Sequence, residues 1–83
     1  MIRLETTTRA LPATVLRLAR AFFGERYGLA ETSADATSVT FEGGGGGVTV
    51  SAQATRAGTV VEITSREWDE QARQFAAQLR RAT

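Results

Sequence analysis

"FEGGGGGVTVSAQATRAGTVVEIT" runs from Phe41 to Thr64, and its reading decides the fold. The part after the glycines alternates. Val48, Val50, Ala52 and Ala54 share one face, and Thr49, Ser51, Gln53 and Thr55 share the other. A period of two marks a strand with one buried side. Arg56-Ala57-Gly58 then reads as a tight hairpin, with Gly58 free to take positive φ. In the strand that follows, Val61 and Ile63 face the core while Val60, Glu62 and Thr64 face out. Before the glycines, Thr37 to Glu42 reads as another strand, with Val39 and Phe41 inward.

Gly43 to Gly47 therefore join strand to strand. A phosphate-binding loop joins a strand to a helix, so that the helix N-terminus faces the anion. No G-K-[ST] follows the run and the chain has no lysine, so the hairpin reading outweighs the nucleotide reading. A third possibility is a glycine-distorted strand end that admits close approach of a ligand or another backbone. Each glycine costs roughly 0.5–1 kcal/mol more than alanine to order. A short hairpin needs positive φ at only one or two positions, so the sequence predicts a mobile tip.

Upstream, "MIRLETT" alternates, with Ile2, Leu4 and Thr6 on one side and Arg3 and Glu5 on the other. Pro12 suits the first turn of a helix. Leu11, Val15, Leu18, Ala19 and Phe22 then form an apolar stripe flanked by Leu16 and Phe23, with Arg17 and Arg20 opposite. Gly24 or Gly28 supplies the stop. A short strand over about 27–32 and a turn around Ser33 to Ala36 complete the middle of the chain. Downstream, Trp68, Ala72, Phe75, Ala76 and Leu79 form the stripe of a second helix. Thr64 and Glu67 match a capping box at its start. Asp69 and Glu70 suit the positive end of its dipole, and Arg80 and Arg81 the negative end. Asp69 and Arg73 are spaced for an i,i+4 ion pair.

The element order is β-α-β-β-β-β-α. Tight hairpins make strands two to five an antiparallel meander, and the first strand fits beside the fifth. The expected fold is a single α+β domain over 1–83. It has two layers: a five-stranded antiparallel sheet of order 2-3-4-5-1, with two helices on one face.

Composition narrows function. Eighty-three residues make one domain with a modest core. The chain has no cysteine, histidine or lysine. Disulfides, thiolate metal sites, thiol nucleophiles, Schiff bases and the usual neutral-pH general base are excluded. No metal, cofactor or catalytic residue is expected, and the chain reads as a non-enzyme. Glu5, Glu42 and Glu62 share an outer sheet face, but a flat face lacks the cleft that paired-carboxylate chemistry needs. Net charge is +1 with signs interspersed, and the pI of about 8.5 falls short of a strongly basic domain. Arg17, Arg20, Arg80 and Arg81 therefore read as solubilising charge, and nucleic acid is not the expected partner. With no apolar leader or membrane-length run, the expectation is a soluble, cytoplasmic protein.

Trp68 reads as a core anchor whose indole N–H reaches solvent or a carbonyl, or else as an interface anchor. Phe22, Phe23 and Trp68 are many large rings for so small a core, and adjacent Phe22 and Phe23 lie about 100° apart in an α-helix. One ring is therefore expected near the surface. This favours self-association or a small apolar pocket lined by Phe22, Phe41, Trp68 and Phe75. The element order resembles that of helix-grip proteins, in which a sheet curls around a C-terminal helix and holds a hydrophobic ligand. It is also similar to small two-layer α+β dimers. Both likenesses are of topology and carry no residue across. The expected function is a non-enzymatic interaction module that forms a homodimer, with Phe22, Phe23, Phe41, Trp68 and Phe75 as candidate interface or ligand residues. The alternative is a small helix-grip-like carrier of an apolar ligand.

Overall fold

A computed structural model describes residues 1–81. The elements are β1 (Ile2–Thr8), α1 (Pro12–Ala19), which continues as a π-helical stretch (Arg20–Arg26), β2 (Ala30–Ala34), β3 (Ser38–Gly43), β4 (Gly46–Thr55), β5 (Gly58–Arg66) and α2 (Asp69–Arg81). All strand pairings are antiparallel and the sheet order is β1-β5-β4-β3-β2, the expected topology. Both helices cover one sheet face. Val39, Phe41, Val48, Val50, Val61 and Ile63 rise from the sheet to meet Val15, Leu16, Phe23, Phe75 and Leu79 from the helices. The alternation read along β4 and β5 is the burial pattern of those strands, apart from Ala54, which is exposed near the end of β4.

The first helix departs from its expected stripe. Leu11 sits at the N-cap and is 71% exposed rather than buried. From Arg20 the helix widens into π geometry. Its i→i+5 bonding puts more residues in each turn, so neighbours lie closer together around the axis. Phe22 and Phe23 therefore both point into the core, at 5% and 0% exposure, and neither is left at the surface. Gly28 ends the stretch with φ of 73°, its N–H donating to Gly24 O and the Leu29 N–H to Phe23 O.

The expected strand over 27–32 forms later, as β2 over Ala30–Ala34. The following turn is held by the Asp35 carboxylate, which accepts the backbone N–H groups of Thr37 and Ser38, both at 2.9 Å. These bonds, Thr37 first, hold the carboxyl below its usual pKa.

The capping box does not form. Thr64 belongs to β5, paired with Arg3 and Thr49, and Glu67 adopts φ of 69°. The sheet claims Thr64 because β5 runs on to Arg66, leaving only Glu67 and Trp68 before the helix. Trp68 stands where the N-cap would: its carbonyl accepts the first helical bond, from Ala72 N–H at 2.9 Å. Asp69 and Glu70 do lie in the first turn of α2, and Arg80 and Arg81 in the last. Asp69 is paired with the N-terminal ammonium at 3.3 Å and not with Arg73.

Candidate interaction surfaces

The pentaglycine is a seat for the β5–α2 connection. Gly43 pairs with Gly46, and only Gly44 and Gly45 form the turn, with φ of 59° and 82°. Positive φ at both central residues is the type I′ geometry that matches strand twist. The expected mobile five-residue tip is thus a two-residue turn, with the other glycines in the strands. Gly46 needs to be bare for a different reason. A Cβ there would lie 1.9 Å from Arg66 O and 2.7 Å from Glu67 Cβ. The hairpin reading and the close-approach reading both hold, and the approaching backbone is the chain's own. Trp68 completes the seat: its indole N–H donates to Gly43 O at 2.9 Å, and its ring lies against Gly44.

The structure brings the five candidate aromatics into one group. Phe22 lies 4.9 Å from Phe23 and 5.4 Å from Phe75, and Phe23 lies 5.3 Å from Phe75 and 5.8 Å from Phe41, between ring centroids. Tyr27, not singled out with them, links the set to Trp68, at 5.3 Å from Phe22 and 5.9 Å from Trp68. Its hydroxyl donates to Gln74 Oε1 at 3.2 Å. Arg26 lies over the Phe22 and Tyr27 rings, 5.4 Å from each centroid. These spacings are those of rings in direct contact. Phe22, Phe23, Phe41 and Phe75 are buried and Trp68 is half-buried. Four of the five rings belong to the core itself, and Trp68 packs against it from the margin.

Three open depressions on the surface of the described residues are lined by none of these five. Two open on the outer sheet face, among Thr40, Thr49 and Thr64 and among Ser51, Val60 and Glu62. That face is polar, as read. The Thr40 and Thr49 hydroxyls are 3.0 Å apart, and Thr49 pairs in turn with Thr64. Glu5 and Glu62 stand directly opposite each other, and Glu62 accepts a hydrogen bond from Arg3 at 2.7 Å. That bond holds the Arg3 guanidinium pKa above its ordinary value. Glu42 lies two strands away on β3, and the three glutamates enclose no cleft. Arg20 finds an acidic partner on β2, Glu31 at 2.8 Å, so it belongs to no free basic patch. Among the described residues no group of three or more acidic or metal-binding side chains gathers, and no helix is long and apolar enough to cross a membrane.

The two sheet edges differ. β2 is short, exposed at all five residues, and its pairing breaks register between Glu31 and Ser33. Such breaks blunt an edge against further pairing. β1 is a seven-residue edge whose pairing with β5 is unbroken from Ile2 to Thr8. The third depression lies along it, lined by Leu4, Glu5, Arg73, Ala76 and Arg80. In the sequence Arg3 and Leu4 read only as strand residues, and Glu5 as one of three carboxylates on the outer face. The signal that marks them is the sheet order, which puts "IRLETTT" on an edge without proline or lysine. Comparison with protein-family models, with curated proteins and with solved structures finds no match to this chain.

Proposed function

We propose that this protein is a non-enzymatic interaction module that associates with a second copy of itself through the β1 edge. The observation that carries this reading is the contrast between edges: β1 offers seven residues of unbulged strand, whereas β2 is short and bulged. An unblunted edge presents a row of unpaired N–H and C=O groups that a further strand satisfies. Burial of Phe22, Phe23, Phe41 and Phe75, with Trp68 half-buried, favours the edge over a surface ring patch as the contact. Extending a sheet by one short strand buries less than a standard interface of about 1,600 Å², so the complex belongs to the weak, reversible class.

The carrier of an apolar ligand is the second reading. It requires Phe22, Phe41, Trp68 and Phe75 to part, and their packing gives it no support.

Amide hydrogen exchange across a protein concentration series tests the proposal. The β1 amides that point away from β5 should become protected as concentration rises, while those of β2 stay unprotected. Equal exchange of both edges at every concentration would remove the edge as the contact.

A further inference from the structure

Resting on that reading, we infer that the two β1 strands pair antiparallel about a two-fold axis at Leu4, with Arg3 of each chain opposite Glu5 of the other. In an antiparallel pair related by an axis normal to the sheet, outward residues meet outward residues. A slip of one residue would turn every side chain to the wrong face. The axis must therefore pass through a residue of β1. Axes at Leu4, Glu5 and Thr6 overlap five or seven of the strand's seven residues, whereas those at Arg3 and Thr7 overlap only three, the latter facing Glu5 with Arg9 beyond the strand end. An axis at Arg3 sets Arg3 against Arg3, and one at Glu5 sets Glu5 against Glu5. An axis at Thr6 leaves Glu5 facing Thr7. Within β1 only an axis at Leu4 puts opposite charges together, and it also sets Leu4 on Leu4 and Ile2 on Thr6. Like charges directly opposite oppose pairing, and unlike charges favour it.

Within one chain the charges are unbalanced in a way this register repairs. Glu5 and Glu62 face each other across β1 and β5, and the only ion pair there is Arg3 with Glu62, at 2.7 Å. Glu5 forms no ion pair of its own among the described residues. A guanidinium carries five N–H donors in a planar fork. Arg3 is thus able to keep Glu62 and take up Glu5 of the second copy, and the symmetry repeats the arrangement. On the helix side, Leu4 is half-buried and borders the open depression with Ala76, Arg73 and Arg80. Leu4 of the second copy would fill that depression. The arginine stems would cover the leucine pair while their charged heads remain in water.

The native chain has no cysteine, so single-cysteine variants at Arg3, Leu4, Glu5 and Thr6 report register directly under mild oxidation. Residues opposite each other in an antiparallel pair lie within disulfide reach, whereas those displaced along the strand do not. L4C should cross-link at least tenfold faster than R3C, E5C or T6C, and a mixture of I2C and T6C should cross-link only between unlike chains. The mixture keeps the test sharp if L4C weakens the fold. A charge swap reads the same register without cysteine. E5R should abolish association while remaining folded, because an arginine there faces Glu62, and R3E/E5R should restore it. A cross-linking maximum at position 3, 5 or 6, cross-linking at no position, or no rescue by the double swap would overturn the register. If the native chain then still shows twice its monomer mass, only the register falls. A monomeric mass would remove the edge reading beneath it.

Discussion

Replacing Gly46 by alanine is the sharpest probe of the seat beneath the β5–α2 connection. The new methyl would lie 1.9 Å from Arg66 O and 2.7 Å from Glu67 Cβ. Relief to ordinary contact at about 3.5 Å requires a relative shift of roughly 1.5 Å. The nearest obstacle is backbone, which cannot rotate aside as a side chain can. Overpacking a well-filled site by one methyl costs about 1–3 kcal/mol, and this geometry belongs at the upper end, about 3 kcal/mol. A chain of 83 residues has a total stability of roughly 4–12 kcal/mol, so the loss is a large share of it. Thermal midpoint should fall by about 12–24 °C at 4–8 °C per kcal/mol for a domain of this size. Gly45→Ala is the control. It meets nothing within 4 Å, but its φ of 82° is unfavourable for a side chain. The left-handed cost of about 1–2 kcal/mol, less the entropy that alanine saves in the unfolded chain, leaves about 1 kcal/mol. Urea denaturation of the two variants measures both. If Gly46→Ala costs no more than Gly45→Ala, the strands do not pass beneath Arg66 and Glu67 as described.

Three other outcomes follow from the same geometry. Glu67→Gly should stabilise the domain by about 0.5–1 kcal/mol, since Glu67 is the single non-glycine residue at positive φ among those described; an unchanged or lower midpoint in urea would contradict this. Trp68→Phe removes the indole N–H from Gly43 O and should cost about 1–2 kcal/mol by far-UV thermal denaturation, with the sheet retained. Asp35 has a folded pKa below its unfolded value near 3.9. Its contribution is therefore present above that unfolded value and is lost as pH falls through the folded pKa. The stability of Asp35→Ala should accordingly vary less steeply with pH than that of the native chain below about pH 4, and carbon-detected NMR titration should place the Asp35 midpoint below 3.9.

The meander was legible because β3, β4 and β5 each have a single wet face, and Val39, Val50, Val61 and Ile63 lie where alternation puts them. The start of α2 was not. Thr64-x-x-Glu67 has the local chemistry of a cap, but β1 and β4 extend far enough to hold Thr64 in the sheet. Non-local pairing overrode a local motif. The burial of Phe22 and Phe23 together was hidden for another reason: a helical wheel assumes one repeat, and the π-helical stretch changes it at Arg20. The aromatic rings whose number reads as an excess in the sequence are what the core is built from, with Trp68 packed at its margin. The pentaglycine hid its purpose because glycine bears no side chain to pattern. The surfaces it accommodates, Trp68 and the Arg66–Glu67 backbone, lie about twenty residues further along the chain. The β1 edge became visible only once the strand order was known.

Sedimentation equilibrium of the native chain from low to high micromolar concentration tests the proposed self-association most directly. A reversible rise from the monomer mass of 8.9 kDa toward twice that value, abolished by Glu5→Arg, is the expected result. A mass that stays at the monomer value throughout the series would contradict it.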